Sequence, residues 1–137
     1  MPASSPIDLI DTLTEQHERI RELLAEVEST DDAARQDALD ELGDLLVLHE
    51  TGEGYLTAPD AGSSSAEAAD LARRLTALDA AGPDFAAGFA RFAADVRAHA
   101  EREEREEFPA ARAAHSPDEL HEMGNRLLKA ERGTLSG

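Results

Sequence analysis

The chain has 137 residues, 41% of them apolar, with 13 basic against 30 acidic side chains, a formal charge of −17 and a mean hydropathy of −0.46. Such a length predicts a single domain over residues 1–137 with a real core, and so acidic a surface argues against nucleic acid or an anionic membrane as partner. With no cysteine, disulfides and thiolate metal sites are excluded.

The opening MPASSPIDLI has no basic region followed by an apolar run. No stretch approaches the roughly 18 apolar residues of a membrane span, so a cytoplasmic location is expected. Few residues are β-branched or aromatic, while Ala, Leu, Glu and Arg abound, which points to helix throughout. In SPID, Ser5 is placed as an N-cap with Pro6 at the first helical position, and apolar periodicity then runs to about Val27. STDDA caps a second helix from about residue 31, continuing at least to His49. TAPDAGSSS is a loop, and Ser64 to Glu67 reads as the capping box of a third helix ending near Leu78. AAGPD turns into a fourth helix, about 84–108, which Pro109 should end or kink. SPDE, Ser116 to Glu119, starts a terminal helix reaching about 132. The expected fold class is all-α: an antiparallel up-down four-helix bundle over about residues 5–112, with a short C-terminal helix.

The inward seams of three helices change character partway along. Helix 1 carries Ile10, Leu13, His17, Ile20, Leu24 and Val27, spaced by threes and fours. Helix 2 carries Leu39, Leu42, Leu46, His49, Glu53 and Leu56, and helix 4 carries Phe85, Phe89, Phe92, Val96, His99 and Glu103. A buried Glu is costly unless paired, and no seam position holds a Lys or Arg to neutralise Glu53 or Glu103. Each Glu follows a His by four residues, so each pair projects from one helix face and can close on one cation. Level is consistent too: the midpoint of His17 and His49 is residue 33, close to the expected turn at 29–32. Reflecting residues 51 and 101 through their turns lands on helix 3 at about 62–70, GSSSAEAAD, which offers no imidazole.

Blander roles are expected for the neighbours. EREEREEF is mostly a solvated face, with Glu104 a substitute ligand; His115 and His121 fall on the surface; the Phe stripe and Tyr55 are packing residues. Gly52 and Gly54 flank Glu53, and each costs helix 2 about 1 kcal/mol, so that helix is expected to loosen or end there.

TEQHERIRELL, LVLHETGE and VRAHAEREEREEFP resemble, in order and spacing, the helix 1, helix 2 and helix 4 signatures of the hemerythrin-like, or HHE cation-binding, domains, over about residues 7–112. The resemblance implies a four-helix bundle with a non-haem iron centre of one or two ions, serving oxygen carriage, sensing of oxygen, nitric oxide or iron, or peroxide chemistry. Carried over by position, it makes His17, His49, Glu53, His99 and Glu103 the ligands, the glutamates bridging. The departure is helix 3, where the family's histidines are missing; one firmly held ion and a substoichiometric second are therefore expected. Imidazole and carboxylate donors also suit Zn, Mn or Cu(II). The expected partner is a small diatomic ligand or peroxide, with neither nucleic acid nor membrane. Two alternatives stay open: a non-catalytic helical interaction module with a structural or vestigial metal site, and a metal-dependent oxygenase-type enzyme.

Overall fold

Caps and apolar periodicity set where the helices run. The computed structural model describes residues 8–30, 32–55, 62–78 and 82–136, the side chains of 32–33, 62–66 and 131–136 excepted. Every regular element among them is helical: α1 (Leu9–Ser29), α2 (Asp32–Gly54), α3 (Gly62–Ala77), α4 (Phe85–Arg102), a π-helical turn (Glu103–Glu107), α5 (Phe108–Ala114) and α6 (Pro117–Ser136). No strand is present among the described residues, and no helix there is long and apolar enough to cross a membrane.

α1 is capped by Asp8, whose carboxylate accepts the Asp11 amide N–H at 2.9 Å while Asp11 accepts the Asp8 N–H in return. The expected start at Ser5 and Pro6 lies outside the described residues. α6 starts where SPDE is expected to start it and opens on a reciprocal Ser116–Glu119 pair, with Glu119 N–H donating to Ser116 Oγ at 3.1 Å. It is longer than expected, reaching Ser136, and it packs on α1 and α2. α3 begins at Gly62, ahead of the expected cap at Ser64.

The chain stays helical past Pro109. In a regular helix the pyrrolidine ring would crowd the carbonyl four residues back. Here the turn just before it widens, and the Phe108 N–H reaches the Glu103 carbonyl five residues earlier. The disturbance expected at Pro109 is thus absorbed as a π turn that begins on Glu103.

α1 packs on α2 and α4, and α3 packs on the same two helices, so the four share an interior. Its larger apolar cluster draws Ile20, Leu23, Leu24 and Val27 from α1, Leu42 and Leu46 from α2, Leu71 and Leu75 from α3, and Phe85, Phe89, Phe92 and Val96 from α4. The Phe stripe is core, as its spacing predicts. A second cluster joins Leu9, Ile10 and Leu13 of α1 to Phe108, Leu120 and Leu127, with Tyr55 packed against it. Along α1, His17 falls between Leu13 of one cluster and Ile20 of the other, so a polar layer is sealed by apolar packing on both sides.

α2 neither loosens nor ends before Glu53, and its two terminal glycines differ in kind. A Cβ on Gly52 would lie 2.8 Å from Cδ2 of both Leu13 and Leu127, so two fully buried side chains would have to shift to admit it. Gly54 has nothing within 4 Å. Gly52 therefore lets α2 approach α1 and α6 closely. Overpacking costs about 1–3 kcal/mol and outweighs the roughly 1 kcal/mol that Ala gains in helix propensity. Gly52→Ala should lower the urea midpoint, whereas Gly54→Ala should leave it unchanged or raise it; equal midpoints would show that the contact is not tight.

Candidate metal centre

The five inward polar side chains are delivered to one layer. His17 comes from α1, His49 and Glu53 from one face of α2, His99 from the last turn of α4, and Glu103 from the start of the π turn; all five are buried. The donor atoms of His49, Glu53, His99 and Glu103 all lie within 4.8 Å of one another. His17 joins them from the side, its Nε2 2.9 Å from Glu103 Oε1 and 3.2 Å from His49 Nε2. Glu103 is shared: Oε1 also meets His49 Nε2 at 3.2 Å, and Oε2 meets His99 Nε2 at 3.3 Å. Glu53 Oε2 meets His49 Nε2 at 2.8 Å and His99 Nε2 at 3.5 Å.

Each imidazole is also held from behind. His17 Nδ1 donates to Glu104 Oε2 at 2.8 Å, and Glu104 is gripped by both terminal nitrogens of Arg21 at 3.0 Å. His49 Nδ1 donates to Gln16 Oε1 at 2.9 Å. His99 Nδ1 donates to Glu67, which also accepts from Arg102. An oxygen acceptor at Nδ1 places the proton there, so each neutral imidazole turns the lone pair of Nε2 inward. Three Nε2 atoms and two carboxylates, with no Lys or Arg in the group, form a donor set that fits a cation.

Glu104 is thus a partner of His17, and Glu67 a partner of His99; the expected capping box of Glu67 with Ser64 involves a side chain outside the described residues. Gln16, Arg21 and Arg102 have no place in the seam reading, and the only sequence signal for Gln16 is its position beside His17. His115 lies outside the centre, 3.9 Å from Glu119. His121 also lies outside it; expected on the surface, it is half-buried, with an Nδ1 that has no hydrogen-bond partner among the described residues.

The carboxylates dominate protonation in the metal-free chain. Burial pulls the His49 imidazolium down, but hydrogen bonds to Glu103 and Glu53 more than reverse this and push its pKa up to about 9. Burial is likewise overcome at His99, where Glu103, Glu53 and Glu67 push the value up to about 11. Burial would raise Glu103, yet the three histidines hold it far below the usual carboxylate range. A folded pKa above the unfolded imidazole value of about 6.5 gives stability that is fully present below that value. That stability is lost as pH rises through about 9 and about 11. The Glu103 contribution has the opposite sense, present above the ordinary carboxylate value and lost in strong acid. The metal-free protein should therefore melt lower as pH rises from neutral to 10. Metal must displace the imidazolium protons, so loading at neutral pH should release protons to an unbuffered solution and tighten with pH. Loading without proton release would contradict this charge state.

The sequence model of the family described as Hemerythrin HHE cation binding domain matches residues 8–111, the span from the Asp8 cap through the π turn into α5. Neither a curated protein nor a solved structure shows significant similarity to the chain. With that match over most of its length, the chain belongs to the hemerythrin HHE cation-binding domain family.

Proposed function

We propose that the chain binds non-haem iron through His17, His49, Glu53, His99 and Glu103, inside an antiparallel up-down four-helix bundle of α1–α4, and that the centre is redox-active or responds to O₂, NO or peroxide. The observation that carries this reading is the convergence of three inward Nε2 atoms on two buried carboxylates, each imidazole anchored through Nδ1. Iron held there would supply one-electron chemistry and positions for a small ligand.

The protein supplies orientation and exclusion of water. Beside the imidazoles of His17, His49 and His99 lies a cavity of about 10 Å³, otherwise lined by Ile20, Leu46, Ala68, Leu71, Val96 and Ala100. That is at the lower limit of the room one water molecule needs, and the apolar lining favours an uncharged occupant. Ala68 and Leu71 are what α3 presents here among the described side chains, and neither carries a donor atom. One ion per chain is held firmly in this reading, and a second is substoichiometric.

The test is elemental analysis with an optical spectrum on protein purified without added metal. Iron near one equivalent, with near-ultraviolet or visible absorption, supports the reading; zinc, or protein that takes up no iron after chelation, overturns it. Among variants, His99→Ala should lose metal affinity while His115→Ala and His121→Ala keep it, because only His99 faces the centre. Equal losses in an iron titration would remove the geometric basis of the assignment.

A further inference from the structure

We propose that α3, which lends no imidazole to the metal, controls it through Glu67, a positioning residue that fixes the ring of His99. The proposal rests on the metal-binding reading above and adds a role for a residue outside the ligand set. Among the described residues, α1 brings Gln16 and His17 to the centre, α2 brings His49 and Glu53, and α4 with the π turn brings His99, Glu103 and Glu104. Among the described side chains, Glu67 is what α3 adds to the hydrogen bonds of this layer.

The geometry gives Glu67 a defined task. His99 sits in the last turn of α4, where its ring must turn Nε2 toward Glu53 and Glu103, at 3.5 and 3.3 Å. Rotation about the Cβ–Cγ bond would carry Nε2 out of the cluster, and the bond from Nδ1 to Glu67 opposes that rotation. Glu67 is itself steadied, since the same oxygen accepts from Arg102, which also lies 3.6 Å from Glu107 on the π turn. Glu67, His99 and Arg102 line a crevice of about 330 Å³ between α3 and α4, together with Asp70, Arg74 and Asp95. Glu67 is 41% exposed there and His99 only 6%, so the anchor is at the surface while the ligand is buried. A carboxylate behind a ligating imidazole fixes its tautomer and strengthens it as a donor, and losing such a partner typically lowers metal affinity 10–100-fold.

Three substitutions separate positioning from simple charge and from direct ligation. Glu67→Ala removes the acceptor; Glu67→Gln removes the charge but keeps a carbonyl oxygen for Nδ1–H; Asp70→Asn removes a charge from the same crevice without touching His99. Co²⁺ is the probe, its visible absorption reporting ligand geometry and its titration reporting affinity. Expected are a 10–100-fold loss with a changed spectrum for Glu67→Ala, recovery of most affinity and of the original spectrum for Glu67→Gln, and no change for Asp70→Asn. An unaltered Glu67→Ala protein would overturn the proposal. So would equal losses for Ala and Gln, which would show that the charge of Glu67 and not its acceptor oxygen matters, or a loss in Asp70→Asn matching that of Glu67→Gln, which would make the effect general charge. Failure of the unaltered chain to bind Co²⁺ would instead strike the metal-binding reading itself. Because Glu67 is half exposed, its variants should keep the helical circular dichroism of the unaltered chain, which checks that folding is not the cause.

Discussion

Glu103→Gln should abolish tight metal binding and also weaken the metal-free fold, the largest double effect expected of any single change. Its carboxylate is 1% exposed and serves three imidazoles with two oxygens: His17 and His49 on Oε1, His99 on Oε2. An amide keeps one of those acceptors, and its NH₂ faces the ring nitrogens as a competing donor. Metal affinity should fall by more than the roughly 10–100-fold that accompanies loss of an outer partner, because here a direct donor and its negative charge are both lost. Without metal, His49 and His99 carry protons at neutral pH and lose the counter-charge that holds their pKa values at about 9 and about 11. Removing one partner of a buried ion pair costs about 3–5 kcal/mol. Urea denaturation in chelator at pH 7 measures that cost, and a titration with Fe²⁺ or Zn²⁺ measures the affinity. A variant as stable as the unaltered chain that still binds metal would show that Glu103 is not shared as its distances indicate.

Phe108→Ala should destabilise the fold by about 3–5 kcal/mol, the usual cost of emptying a large aromatic site in a core. Phe108 opens α5 directly after the π turn, is 4% exposed, and joins Leu9, Ile10, Leu13, Leu120 and Leu127 in the second apolar cluster. Its ring stacks on that of His17, with centroids 5.3 Å apart and planes 14° from parallel. The truncation therefore opens a void against an imidazole of the centre, where water can enter. Phe108→Leu retains most of the volume and should cost under about 1.5 kcal/mol. Denaturation midpoints of the two variants decide the matter, since similar losses would mean that the stacked ring contributes more than the filled space.

The helices and the five inward polar groups were legible in the chain itself, for a local reason. Three-four spacing dictates which side chains share a helix face whatever the partner helix is, so His17, His49, Glu53, His99 and Glu103 could be assigned inward before any packing was known. The Ser116–Glu119 cap is equally local, its partners three residues apart. The absence of a ligating imidazole in helix 3 followed from composition alone.

What surrounds those five groups was decided only by tertiary structure. The anchors of the imidazoles lie 87, 33 and 32 residues from the rings they hold, for Glu104, Gln16 and Glu67 respectively. In a chain with 30 acidic residues, nothing local distinguishes a Glu that steadies a ligand from one that faces water. The same holds for Gly52, read in sequence as a weak point of α2 and found at the tight approach to Leu13 and Leu127. It holds as well for Pro109, whose crowding is relieved by widening the turn before it. Helical periodicity determines direction along one element, whereas hydrogen-bond partners and close approaches depend on the register between elements, which packing alone sets.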